Sequence, residues 1–362
     1  MPQMRTPDWA RLPDDARLRG LAIAAASALL VLAAVVIIDA VNADPAHGPS
    51  PLIVRAGAAP DGKGTGDRPF ATIQAALRVA RGGQTVQVGP GVYREQVRSV
   101  RSGRPRAPIR LTGHGARIVG RSGTNHLIEI GHNHIEVRGF TISHASTLIS
   151  MTRVRGVRIL GNTLRDGGGE CVRLRYFSVR NEVAYNRIVR CGREGFDLGD
   201  NRKNGEGIYI GTAPEQLDRN PRAVPDRSNA NRVHHNSIVV PAECVDIKED
   251  AAANVVTDNR CFGSKDPQGA GFSSRGIATV FRRNDSGGHA GAGIRVGGDH
   301  HDDGVRTVIT GNRLHDNGHT GLKVIRRPQG LICGNRFWRN RDGDVNVNDV
   351  RADRRCPAPA RK

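Results

Sequence analysis

An asparagine recurs seven times through the second half of the chain, at Asn162, Asn186, Asn236, Asn259, Asn284, Asn312 and Asn335. The intervals are 24, 50, 23, 25, 28 and 23 residues, so all but one fall near a single period. Gly139, in VRGFTI, lies 23 residues before Asn162 and continues the series backwards. A fixed period of this size belongs to a solenoid, in which each unit stacks only on its neighbours. The stretches VRILGNTL, NEVAYNRI, NRVHHNSI, ANVVTDNRC and RTVITGNRL alternate with period two and are rich in Val, Ile and Thr. They are too short for helices, and Gly and Asp-Gly punctuation separates them. The expected architecture is all-β: a right-handed parallel β-helix with one coil per roughly two dozen residues. Asn suits the turn because it tolerates left-handed backbone, and stacked asparagines form a ladder of amide hydrogen bonds. The 4% aromatic content fits an interior filled by thin layers of Val and Ile. One elongated domain is expected over residues 52–350, with no second one.

Residues 20–41 are apolar until Asp39 and are preceded by Arg5, Arg11, Arg17 and Arg19. That length spans a bilayer, the arginines set an N-inside orientation, and Val41-Asn42-Ala43 has the small residues of a cleavage site. Residues 1–43 therefore read either as a signal peptide or as an uncleaved anchor helix. In both cases the rest is exported, secreted or held at the outer face of the cell membrane. Residues 44–51 read as a linker and 351–362 as a tail. In an oxidising compartment the six cysteines (171, 191, 244, 261, 333 and 356) read as disulfides. Without a CxxC pair a zinc site is not expected. Cys333 with Cys356 would pin the tail to the last coil, and the other pairings stay open.

Formal charge is +19, from 54 basic and 35 acidic side chains, with only six lysines among the basic ones. Either the partner is a polyanion such as a uronate polysaccharide, or the surface is simply arginine-biased. So few aromatics argue against nucleic acid as partner.

Residues 61–97 contain a Gly-rich turn, a short amphipathic helix (apolar Ile73, Ala76, Leu77 and Ala80), a strand TVQV and a turn at Gly89-Pro90-Gly91. A helix here would cover the open end of the first coil. The segment resembles the N-terminal cap of secreted β-helix carbohydrate enzymes, including polysaccharide lyases and pectin methylesterases. The esterase motifs (Gln-Asp-Thr and Val-Asp-Phe-Ile-Phe-Gly) are absent, which disfavours that activity.

A second strand follows each asparagine: CVRLR (171–175), GFDLGD (195–200), GIYIG (207–211), CVDIKED (244–250), GIRVGG (293–298), GLKVIR (321–326) and DVNVND (344–349). Alternation turns Arg173, Arg175, Asp197, Tyr209, Asp246, Lys248, Arg295 and Lys323 outward along one face. Such a stripe is either solvated surface or a bed for a sugar chain.

Its densest point, PAECVDIKED followed one coil later by QGAGFSSRG, resembles the chondroitinase B and alginate lyase group, polysaccharide lyase family 6. GEGIYIG at 205–211 resembles that family's GGGIRIG-type strand. The resemblance implies Lys248 as catalytic base, Arg275 as its partner, and Glu243 as a calcium ligand. The sequence departs from the pattern where the family's second acidic ligand falls on Pro241 and its Asn ligand on Lys203. Calcium would then be held by Glu243, Glu206, Asp246 or Glu249, hard oxygen donors that suit it. Arg173, Arg175, Tyr209, Arg295 and Lys323 are the expected substrate-binding residues. The expected function is a polysaccharide lyase that cleaves a uronate-containing acidic polysaccharide by β-elimination, acting as a monomer. The alternative is a non-catalytic β-helix binding glycan or cell wall; a glycoside hydrolase would need two carboxylates, such as Asp197, Asp200 and Asp246 offer. Two further features are ambiguous between site and inert surface: the Asp299–Asp303 loop and an insertion at 212–230. The His234-His235 pair, on a strand with one ring expected in and one out, is assigned no role.

Overall fold

The structure is a computed structural model that describes residues 49–346 and Cys356. The proposed signal or anchor segment, residues 44–48 of the linker and the tail apart from Cys356 lie outside the described residues. Among the described residues no helix is long and apolar enough to cross a membrane.

Short strands wind into a right-handed parallel β-helix with three sheets of 11, 10 and 10 strands. From Thr85 onward each coil gives one strand to each sheet. Apart from one antiparallel hairpin at 196–203, sequence neighbours therefore lie in different sheets and the ladders join one coil to the next. Leu52–Val54 pairs with Thr85–Val88 at the start of the first sheet. The core is a continuous column of inward Val, Ile, Leu and Phe, such as Ile149, Val172, Ile208, Val245, Phe272, Ile294 and Leu322. In-register parallel pairing aligns these residues. At the start, helix Ile73–Val79 buries Ile73, Ala76 and Leu77 on strands Leu52–Val54, Thr85–Val88 and Val97–Arg98. Thr72 caps the helix through Ala75 N, and the Glu95 carboxylate accepts from Ile73 N and Gln74 N.

The asparagines form the expected ladder. Each main-chain N–H and side-chain amide donates to Oδ1 of the next asparagine, from Asn162 through Asn186, Asn236, Asn259, Asn284 and Asn312 to Asn335. The earlier coil carries Phe140 in this position, its N–H donating to Asn162 Oδ1. One part of the expectation is corrected. The left-handed residue is the one before each asparagine: Gly161, Tyr185, His235, Asp258, Arg283, Gly311 and Gly334 all have positive φ. Asn is therefore selected for its amide, not for its backbone. A second ladder, Asn181 to Asn231 to Asn254, runs five residues upstream.

The cysteines pair as Cys171–Cys191, Cys244–Cys261 and Cys333–Cys356, the last tying the tail to the final coil as expected.

Two further expectations are corrected. GFDLGD is not a strand of the outward-facing sheet: Phe196–Asp197 pairs antiparallel with Arg202–Lys203 in a projecting hairpin, and Leu198 is 42% exposed. That coil supplies Ile208–Ile210 to the sheet instead, so Asp197 leaves the stripe and pairs with Arg202. His234 and His235 do not point to opposite sides. Val233 is the inward residue, while His234 Nδ1 lies 3.0 Å from His235 Nδ1 and His235 stacks on Tyr185. The stripe, open on sequence between solvated surface and sugar bed, is largely buried: Arg173, Tyr209, Asp246 and Ser273 are each 9% exposed or less.

Candidate active site

The outward residues of one sheet stack rung on rung: Arg173, Tyr209, Asp246, Ser273, Arg295 and Lys323 are register partners on successive coils. Two residues before each strand, Glu206 and Glu243 also stack, since Gly207 N donates to Glu243 O and Cys171 N to Glu206 O at 3.0 Å. This places Glu170 in the same column.

Glu206, Glu243 and Asp246 converge, with one carboxylate oxygen of each within 4.8 Å of the others. Gly269 lets the next turn close over them: a Cβ there would lie 3.2 Å from Glu243 Oε1. Burial, then the charges of Glu170, Glu243 and Asp246, push Glu206 up to about 8. Burial and then Asp246 push Glu243 up to about 7. Burial also pushes Asp246 upward, but Lys248 and Arg275 outweigh it and hold this carboxyl below its ordinary value.

Lys248 Nζ lies 2.7 Å from Asp246 Oδ2. Burial pulls the Lys248 pKa down, yet Asp246, Tyr209 and Glu206 together outweigh burial and the ammonium is stabilised. Arg275, one coil on, has Nη1 3.8 Å from Asp246 Oδ1 and Nε 3.3 Å from Glu249 Oε1. Glu249 thus serves Arg275 and stands apart from the three converging carboxylates. Tyr209 is sandwiched between Arg173 and Lys248, which lie 5.0 and 4.9 Å from its ring centre.

Three hard carboxylates, two of them (Glu206 and Glu243) pushed toward the protonated form by burial and crowding, fit a divalent cation such as calcium. Asp246 Oδ1 strengthens the fit, since it is buried and has no hydrogen-bond partner. The stripe shares this property. Among the described residues Arg173 Nε, Tyr209 OH, Asp246 Oδ1, Ser273 Oγ and Arg295 Nε are all buried and unpartnered, on five successive rungs. Buried polar groups left unpaired are costly and call for a ligand.

A cleft of about 540 Å³ brings Lys248, Arg275, Arg295 and Lys323 together with the three carboxylates. Arg173 and Arg175 line a different cleft, of about 470 Å³, with Glu170. Tyr209, 3% exposed, lies on the intervening rung. Another cleft beside Arg121 and His144 contains Asp166, but that acid is already taken up by Arg165 and Arg190.

Over residues 56–260 the chain matches a family described as "Protein of unknown function (DUF1565)". The chain belongs to that family. No curated protein matches it. Among solved structures, alginate lyase from Paenibacillus sp. str. FPU-7 aligns with a TM-score of 0.62 and 20% identity, covering 75% of this chain and 94% of its own. Pectate lyase Pel9A aligns with a TM-score of 0.61 and 14% identity, covering 86% of this chain and 82% of its own. At these identities the likeness is one of fold.

Two contributors escaped the sequence reading. Glu170 was detectable, since Glu-Cys-Val, Glu-Gly-Ile and Glu-Cys-Val recur at 170, 206 and 243. Asp226 was not. This fully buried residue accepts from Tyr176 N, Phe177 N, Thr212 Oγ1 and Ser228 Oγ, and it fastens the 212–230 insertion to the coil. The Asp299–Asp303 loop is a local turn, with His300 N donating to Asp303 Oδ2.

Proposed function

We propose that this is an exported polysaccharide lyase that cleaves a uronate-containing acidic polysaccharide by β-elimination, with calcium on Glu206, Glu243 and Asp246. The observation that carries the reading is the single cleft in which a carboxylate trio, Lys248 and Arg275 meet beside Arg295 and Lys323. Three disulfides support an oxidising destination, and the apolar segment at 20–41 would direct export. Arg295 and Lys323 would bind the acid groups of neighbouring sugars.

Calcium would neutralise the uronate carboxylate and stabilise enolate character at C5. Lys248, as the free amine, takes the C5 proton; the C4–O bond breaks and a C4–C5 double bond forms. Arg275 donates hydrogen bonds to the leaving oxygen, which takes its proton from solvent. Asp246 is the control point. Oδ2 stabilises the Lys248 ammonium, so sharing Asp246 with a cation weakens its hold on that proton. The same ion pair favours the second reading, a non-catalytic glycan binder in which Lys248 remains an ammonium.

Incubating the protein with alginate, pectate and dermatan-type glycans, with and without calcium, separates the two readings. A calcium-dependent rise in ultraviolet absorbance from the new double bond supports the lyase. Glycan bound but uncut supports the binder.

Calcium affinity should rise with pH. Below about 7 both Glu243 and Glu206 retain protons that the cation must displace, and above about 8 neither does. Calorimetric titration across this window should show tighter binding at each step upward, with proton release on the acid side. An affinity flat in pH would remove these two residues from the site.

A further inference from the structure

The 212–230 insertion lies across the stripe and does not hang from it. Its 3-10 helix, Pro214–Arg219, meets both arginines of the stripe's early end. Arg173 Nη2 donates to Gln216 Oε1 at 3.0 Å and Arg175 Nη2 to Arg219 O at 3.1 Å. Behind the helix, Asp226 is buried and held by four hydrogen bonds, two from the main chain at Tyr176 and Phe177. Thr212, which starts the strap, is 1% exposed. These are the anchors of a fixed wall. On its near side Tyr209 is buried, and beyond it Arg173 lines a separate cleft.

A sugar chain lying along the ladder from Lys323 crosses Arg295 and Ser273 to reach Asp246, a run of three strand spacings or about 14 Å, room for about three 4-linked sugars. At Tyr209 it meets the wall. We infer that the 212–230 strap closes the groove at this end and makes the protein act from a chain terminus, releasing one short product rather than cutting internally. This rests on the lyase reading, but the closure also governs binding, and binding can be measured without cleavage.

The experiment uses 4-linked oligouronates of increasing length and the parent polymer, with calcium. It compares the natural protein with a variant whose residues 214–222 are replaced by three glycines, and with Asp226→Ala, which releases the staple and keeps the chain length. For the natural protein, products of a single short length are expected from the first minutes, with viscosity falling slowly per bond cut. Affinity should stop rising beyond about three or four sugars, the reach of the groove. Either variant should give mixed lengths and a several-fold steeper viscosity drop per bond. A natural protein that yields mixed lengths, or whose affinity climbs through the longest oligomers, overturns the proposal. A plateau without any cleavage retains the wall and sinks the lyase reading instead. No binding at any length defeats both.

Discussion

Replacing Lys248 by alanine is expected to lower turnover by about 10²–10⁴-fold, the usual loss when a positioned base is removed, while calcium binds no more weakly than before. The two expectations pull in opposite directions because both run through Asp246. In the natural protein Asp246 Oδ2 holds Lys248 at 2.7 Å, so the ammonium competes with any cation for that carboxylate. Without it Glu206, Glu243 and Asp246 face one another with Arg275, at 3.8 Å from Asp246, and the more distant Arg295 to offset them. The calcium-free variant should therefore melt below the natural protein, since removing one partner leaves a buried charge unpaired. Calcium should restore most of the difference. Sequence alternation alone would have called the substitution harmless to folding, because Lys248 projects from the sheet. Its side chain is 13% exposed, so a stability cost is expected as well. Turnover and calcium response are measured on one preparation. Undiminished activity rules out Lys248 as the base. Calcium affinity that collapses along with activity means that Lys248 organises the trio instead of competing with it.

The fold was legible because a solenoid repeats its signal. Seven asparagines and two-residue alternation fix period, strand and core together, and each coil confirms the previous one. The site was legible where it obeys that register. Arg173, Tyr209, Asp246, Arg295 and Lys323 follow from alternation alone, whereas Glu243 was picked out by the family resemblance and Glu206 as a replacement where that pattern departs. It failed where the chain leaves the register. The hairpin at 196–203 imitates a strand in composition, with Phe196 and Leu198 alternating, yet the turn at Leu198–Asn201 folds it back on itself. Burial of the stripe also depends on loops, whose path no periodicity dictates. The strap packs over Arg173 through Gln216, a contact spanning 43 residues. Nothing local in either segment announces it. The wrong assignment of left-handed geometry to asparagine has a similar origin, since the residue type permits αL but the amide ladder is what the position requires.

The second large effect concerns that ladder. Asn236→Ala is expected to destabilise the protein by about 3–5 kcal/mol, the cost of leaving two or three buried polar groups unpaired. Asn236 Oδ1 accepts from the main-chain N–H and side-chain amide of Asn186 at 2.9 and 3.0 Å. Its own amide donates to Val183 O, His234 O and Asn259 Oδ1 at 2.9, 3.1 and 3.0 Å. Alanine removes all of these from a position that water does not reach, as Asn236 is 1% exposed. Asn335, the last member, lies in the final described coil and is only half-buried. There water can replace the lost partners, and Asn335→Ala should cost about 1 kcal/mol, the net worth of an ordinary hydrogen bond. Because coils interact only with their neighbours, the difference between the two sites isolates burial from chemistry. Urea denaturation of both variants measures it: the midpoint should fall much further for Asn236→Ala, with the slope unchanged if unfolding stays cooperative. Equal and small losses at the two positions would mean that the stacked amides follow from the fold and do not hold it. Asn236→Asp should resemble alanine, because the carboxylate retains the acceptor facing Asn186 but gives Val183 and His234 no donor and adds a buried charge.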